Sequence, residues 1–486
     1  MVRVEGALAV LPSHDGTSVT ITRSIEDVPT SRIRTFDDSQ QLIRAASHAH
    51  CTAIDDEWKR MNLPSSMRDS VSHTCKYAIV AGLRVLESAG LVSHDSPEPW
   101  TLHPSLRHRT GVMFTSSFAH ANVPMATAAA YVDANARRDM YERTKALWVS
   151  KSLDVRELDE QFSEEERSCN VRKLVLETLF LANVQLAQIV KAMGPNTYCS
   201  TACSSTSSAL RLACNVIELD QADRMLVISS DAVVTSHASR PIVESFLQLG
   251  AAGRYTDEYD ISQPFTSQRQ GFVFGEGAVA LLLAHPKTGV PADTERTELN
   301  MPARSAINVL SVRSGNSAFH GTRMDANHIS HLIRESLLEV VSKEGCTLEW
   351  LVTNSVYVSH ETCTKLCANA EIDALEQVLG RSLLRKLPLT NIKHLTGHCM
   401  GVAVEDCFAV FALCEQRMPV ISSMDVAEEF ADLTFTRNTS APLRYTWHLA
   451  CGMGSQVAFV VYGRDEISFS TSTLDGTTDS VLAVNK

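Results

Sequence analysis

A cysteine crowded by small residues sits inside GPNTYCSTACSSTSSALRLACNVIE, residues 194–218, and a helical pattern begins immediately after it. At such an elbow Cys203 would face backbone N–H groups and the positive end of a helix, which lower a thiol's pKa and favour the thiolate. Its Ser, Thr and Ala neighbours would let a thioester approach the backbone. The chemistry on offer is acyl transfer through a covalent intermediate, in which one difficult step becomes two easier ones. The plain alternative is that Cys203 is one more buried thiol among thirteen cysteines.

Other clusters point to different chemistry. His360 with Cys363 and Cys367, and His394 with His398 and Cys399, lie close enough in sequence to suggest zinc, which tolerates such ligands. No Cys-x2-Cys pair occurs, and a metal would leave Cys203 without a role, so no metal site is expected. His48, His50 and Cys51 fall in a helical stretch and read as surface or satisfied core residues. GFVFGEG at 271–277 lacks the Lys-Ser/Thr ending of a phosphate loop, and its glycines read as points of close backbone packing.

Regular elements flank these residues. Apolar residues recur at helical spacing over 70–92 and stop at Gly90, and RTGVMFTSS at 109–117 reads as a buried strand. Residues 138–170 are dense in charge and read as an exposed helical insertion. Helices are expected over 175–190 and after Cys203, with strands at 225–234 and 277–285. Residues 286–305 carry three prolines and few apolar side chains, as a linker would. Beyond it come strands at 307–314, 355–360 and 455–463, helices near 327–343 and 369–379, and a turn into a helix at 397–414. The start of the chain fits a first strand. Alternating strands and helices imply a layered α/β architecture with sheets covered on both faces, and no sequence repeat is visible.

Composition narrows the function. The 486 residues, 44% hydrophobic and 21% charged, suffice for a full core. Forty-four Lys plus Arg against fifty-six Asp plus Glu give a net charge of -12, so nucleic acid is not an expected partner. Scattered cysteines, odd in number, suit a reducing compartment. No window approaches the roughly 18 uninterrupted apolar residues of a membrane span. A cytoplasmic location is expected. Residues 16–35, rich in Ser, Thr and Arg but interrupted by acids, leave a mitochondrial or other organellar address open.

STACSSTSSAL at 200–210 resembles the nucleophile motif of the β-ketoacyl synthases of fatty-acid and polyketide assembly. That family's His-Gly-Thr-Gly-Thr is answered by VSHETCTKLCANAEIDAL, with His360, Thr362 and Thr364, and with Glu371 at the downstream acidic position. Its Lys and Gly-His motif is answered by NIKHLTGHCMG, with Lys393 and His398. PFTSQRQGFVFGEGAVALLL at 264–283 matches PFD-x-x-R-x-GF-x-x-GEG, and LACGMGSQVAF at 449–459 resembles the C-terminal glycine loop. The resemblance covers roughly residues 170–465 in order, while residues 1–165 match loosely.

The resemblance implies a thiolase fold: two similar α/β halves, 1–285 and 306–465, in α-β-α-β-α layers, with a tail at 466–486. It implies Cys203 as acyl-carrying nucleophile and His360 and His398 as neutral donors to the enolate left by decarboxylation of a malonyl thioester, with loading of Cys203 independent of His398. It further implies a Lys393–Glu371 bond and an oxyanion hole from the N–H groups of Cys203 and Met453 in the Gly452–Gly454 loop. Thr362 and Thr364 would contact a phosphopantetheine arm. Substrates would arrive on acyl carrier protein or coenzyme A, with no other cofactor, and the chain would form a homodimer. Degradative thiolases lack the Lys393 and two-histidine pattern, and chain-starting relatives use Cys-His-Asn. The rival is a catalytically silent partner subunit of the chain-length-factor type. Four departures keep it in play: Glu361 and Cys363 in place of glycines, Thr266 in place of Asp, and Val404 in place of glycine. Turned inward, Glu361 would stabilise the His360 imidazolium and raise its pKa by about one unit.

Overall fold

The computed structural model describes residues 1–12, 19–22, 33–36, 43–46, 51–63, 71–93, 99–119, 122–161, 181–233, 240–253, 263–288, 307–417, 426–436 and 443–465. Ten strands carry the architecture. The first half of the chain supplies β1 (Val2–Pro12), β2 (Thr110–Thr115), β3 (Asn196–Cys199), β4 (Arg224–Asp231) and β5 (Gly277–Ala284). The second supplies β6 (Ile307–Asn316), β7 (Ser355–Val358), β8 (Leu389–Thr390), β9 (Tyr445–Gly452) and β10 (Gln456–Arg464).

The first five lie in the order β3-β2-β4-β5-β1 and the second five in the order β8-β7-β9-β10-β6. Corresponding pairs also share direction. β3–β2 and β2–β4 are parallel, as are β8–β7 and β7–β9, whereas β4–β5, β5–β1, β9–β10 and β10–β6 are antiparallel. The chain therefore repeats one topology twice, although its sequence shows no repeat. β1 joins β6 through Val2↔Val309 and Val4↔Ile307. Every position of β2, β4 and β5 is buried, which is why these strands read as near-continuous apolar runs.

The helices used below are α1 (His73–Ser88), α2 (Asn122–Ser150), α3 (Ala182–Val190), α4 (Ser205–Glu218), α5 (Arg240–Gln248), α6 (Ala326–Glu344), α7 (Lys365–Leu384) and α8 (Val404–Glu415). Ser72 starts α1 by accepting the Cys75 N–H at 3.2 Å, and the chain leaves it through Gly90 at φ 68°. α1 and α3 cover the outer face of the first sheet, and α6 with α7 covers the second. α4 and α8 lie between the sheets and touch strands of both. Their Ala209, Leu210, Ala213, Phe408, Val410 and Phe411 form one core with Val227, Leu281 and Val460. This is the expected α-β-α-β-α stack of a thiolase fold.

Four of these elements were not foreseen, β3, β8, β9 and α5. α8 starts at Val404, beyond the turn expected from 397, and α7 runs longer than expected, across a break at Gly380 (φ 69°). α2 begins well before residue 138, and Val132, Met140 and Leu147 on it are exposed. Residues 175–180, 289–305 and 466–486, in the expected helix, linker and tail, lie outside the described residues, as do His48 and His50. Among the described residues no helix is long and apolar enough to cross a membrane.

Candidate active site

The two middle helices bring the chemistry together, because each starts just after a proposed catalytic residue. Cys203 lies two residues before the start of α4, with Ser204 between them. Ala202 is held at φ 51°, and hydroxyls close the elbow: Ser204 Oγ donates to Thr201 O at 2.8 Å, Ser205 Oγ donates to Ala202 O at 2.5 Å, and Thr201 N–H donates to Ser205 Oγ at 2.9 Å. These contacts explain the run of small hydroxylated residues. Cys203 Sγ lies 3.2 Å from His398 Nε2. The backbone N–H groups of Met453 and of Cys203 itself point at the sulfur.

Enclosure reverses one expectation. Burial first, and Asp231 second, push the Cys203 thiol up to about 12, against the opposing pull of Lys393 and the two N–H groups. Cys203 at rest is therefore a neutral thiol and not the thiolate expected from a helix N-terminus. The imidazole in contact with it, His398, is depressed to about 3 by burial and by Lys393. His360 is likewise held well below the usual imidazole range by burial, Lys393 and His398. Both rings are neutral near pH 7, with centroids 5.9 Å apart.

Each histidine is fixed by several segments. His398 N–H donates to Val273 O at 2.7 Å, and Gly275 N–H donates back to His398 O at 3.0 Å. An added Cβ at Gly275 would stand 2.1 Å from Thr396 O, which is why GFVFGEG needs this glycine. Beyond His398, Gly401 N–H donates to Asp231 at 2.8 Å while its carbonyl accepts from Thr206 Oγ1 at 2.7 Å, so α4, β4 and the His398 loop move as one. His360 N–H donates to Glu371 Oε1 at 2.8 Å, and Glu371 also accepts from Tyr357 (2.6 Å) and Ser359 (3.0 Å).

Lys393, only 3% exposed, pairs with Glu405, a partner not read from the sequence, and acts on Glu371 electrostatically. Burial works against both charges, yet the pair keeps Lys393 above and Glu405 below their ordinary values. Asn391 was also missed: its Nδ2 donates to Glu361 O at 2.8 Å and its Oδ1 accepts the Lys393 N–H at 2.8 Å. Position two before Lys393 was the only signal for it.

Cys203, His360, Thr362, Thr364, His398, Gly452 and Met453 line one cavity of about 440 Å³, with Phe246 and Phe272 on its wall. Glu371 and Lys393 stand behind His360, off that wall. Gly454 (φ 80°) donates its N–H to Gly321 O at 2.8 Å and shapes the loop. Among the described residues no three His, Cys, Asp or Glu side chains gather as a metal would require. A Cβ on Gly452 would lie 2.4 Å from Thr201 O and 3.1 Å from Cys203 N. Gly452→Ala is therefore expected to cost about 1–3 kcal/mol of stability in a denaturant titration and to slow alkylation of Cys203.

The inward-turned Glu361 takes a different course from the one anticipated. It is fully buried, but its carboxylate meets Arg269 (3.7 Å), and burial raises it to about 8, while no influence of it on His360 is found. The His360 pKa falls instead of rising. Cys363 occupies the left-handed region at φ 62°, the geometry a glycine would take without strain, and Val404 is buried in the first turn of α8.

Comparison with known proteins places the chain. The family model "Beta-ketoacyl synthase, N-terminal domain" matches residues 21–288, more than half of the chain, and reaches well into the region that matched loosely by motif. A putative polyketide beta-ketoacyl synthase 1 of Streptomyces cyaneus is 27% identical over 55% of this chain and 60% of its own, so the chain covers less than two thirds of that relative's length. The solved ishigamide ketosynthase/chain length factor superposes with a TM-score of 0.65 at 18% identity, over 95% of this chain and 98% of its own. A type II polyketide acyl-carrier protein in complex with its hexaketide-bound ketosynthase superposes with a TM-score of 0.63 at 17% identity, over 95% and 98%. With the fold, the elbow and the matched domain in agreement, the chain belongs to the β-ketoacyl synthase family.

Proposed function

We propose that this protein is a 3-oxoacyl-[acyl-carrier-protein] synthase, an acyltransferase that condenses an acyl thioester with a malonyl thioester in fatty-acid or polyketide elongation. The observation that carries this reading is the contact of Cys203 Sγ with His398 Nε2 at 3.2 Å, with His360 facing His398 in the same cavity. In loading, Sγ attacks the acyl carbonyl as its proton passes to His398. The N–H groups of Cys203 and Met453 hold the oxyanion, and the carrier thiol leaves with a proton. In condensation the malonyl carboxylate departs as carbon dioxide, and His360 and His398 donate to the enolate oxygen. The carbanion then attacks the Cys203 thioester, and the C–S bond breaks to release the Cys203 thiolate, which takes a proton from water to regenerate the thiol. Lys393 is placed by Glu405 to keep both imidazoles neutral, and Glu371 fixes the His360 backbone. Thr362 and Thr364 line the approach for the phosphopantetheine arm of acyl carrier protein or coenzyme A. No further cofactor enters this scheme.

A carrier-protein partner is supported by the relative whose structure holds one. A homodimer is supported by β3, which ends the sheet with Asn196 and Thr197 exposed, an edge able to pair with its own copy. Mass spectrometry of the intact protein after incubation with acyl carriers of graded length tests the central claim. An acyl mass on Cys203 is expected, and its absence with every carrier and with acyl-coenzyme A would favour the silent-subunit reading. Because the thiol rests near 12, alkylation of Cys203 by iodoacetamide should keep accelerating about tenfold per pH unit from 7 to 9.5. A plateau near pH 7 would mean a preformed thiolate.

A further inference from the structure

One of the four motif departures, Glu361, reaches the segment that carries another, Thr266. Glu361 (0% exposed) follows His360 and sends its carboxylate to Arg269 (4% exposed), three residues beyond Thr266. The backbone N–H of Phe265, next to Thr266, also leans on that carboxylate. Arg269 is held from its other sides by Glu429 at 3.3 Å and by the Phe430 ring at 5.0 Å. The segment 263–276 that bears Arg269 already grips both histidine loops through backbone, at Gly271 N–H to Cys363 O (2.8 Å) and at Val273 and Gly275 with His398.

Resting on the proposed reading of the site, we propose that Glu361 and Arg269 are a positioning pair: the carboxyl group absent at position 266 has been replaced, from the His360 loop, by the one at 361. The two departures are then one exchange, and its effect is to tether His360 to the clamp that also sets His398. The other acid on Arg269, Glu429, is half exposed, so without Glu361 this buried guanidinium would keep no buried carboxyl, and the loss at 266 and the gain at 361 belong together. An anchor on the residue next to His360 bears on the enolate donors and not on the Cys203 elbow.

The test is a double-mutant cycle of Glu361→Gly, Thr266→Asp and the double variant in the full chain, read by malonyl-thioester decarboxylation, acyl loading of Cys203 and thermal unfolding. Glu361→Gly should lower decarboxylation about tenfold through a displaced His360 while loading stays within about twofold. The double variant should return to within about twofold of the natural protein, a coupling that two independent sites would not show. Additive effects on both decarboxylation and unfolding temperature would overturn the pair. Should the natural protein neither load nor decarboxylate, the enzymatic reading fails on its own, and the unfolding temperatures alone decide whether 266 and 361 exchange one carboxylate.

Discussion

Replacing Cys203 by Ala or Gln is expected to abolish condensation, by on the order of 10^3-fold or more, as loss of a covalent nucleophile does in other enzymes. Cys367 and Cys451 also line the cavity, but both are buried and held well above the usual thiol range by burial and by nearby carboxylates and thiols. Cys203 has the helix N-terminus behind it, two N–H groups aimed at its sulfur and an imidazole 3.2 Å away. Decarboxylation of the malonyl unit should persist in Cys203→Ala, because the enolate donors are His360 and His398. Carbon dioxide release with no condensed product, and no acyl mass on the protein, is the expected signature. Condensation surviving in Cys203→Ala would place the nucleophile elsewhere.

What could be read from the sequence depended on whether neighbours along the chain or neighbours in space carried the meaning. The strands at 110–115, 224–231 and 277–284 were legible because a sheet covered on both faces leaves unbroken apolar runs. β9 was not, because YTWHLACG places Thr446 and His448 in the core. There Thr446 Oγ1 donates to Ala409 O at 3.3 Å, and His448 and Asp406 pair at 2.9 Å, partners distant in sequence. Glu405 and Asn391 were missed for the same reason: one lies in the first turn of α8 and the other follows β8, and only the fold sets them beside Lys393 and the His360 loop. Glu361 was noticed, but the direction of a loop side chain follows no period, and its carboxylate went to Arg269. The repeated strand order left no trace in residue identity, since packing demands apolar volume from each half and not the same residues.

The contact between His398 and Cys203 separates the two histidines more sharply than motif reading did. His360→Ala should slow decarboxylation by about 10^2–10^3-fold, the usual cost of one donor to a developing oxyanion. Loading of Cys203 should stay within about twofold, since a ring 5.9 Å beyond that of His398 has no part in deprotonating the thiol. His398→Ala should instead depress both half-reactions. It removes the second enolate donor, and it removes the base adjoining a thiol that burial keeps protonated near 12. Raising the pH should then partly restore loading in His398→Ala, by forming thiolate directly, without restoring decarboxylation. The two activities are separable as carbon dioxide release from a malonyl thioester and acyl mass on the intact protein. Unimpaired loading in His398→Ala would remove it from the first half-reaction, and equal loss of both activities in His360→Ala would contradict a division of labour between the rings.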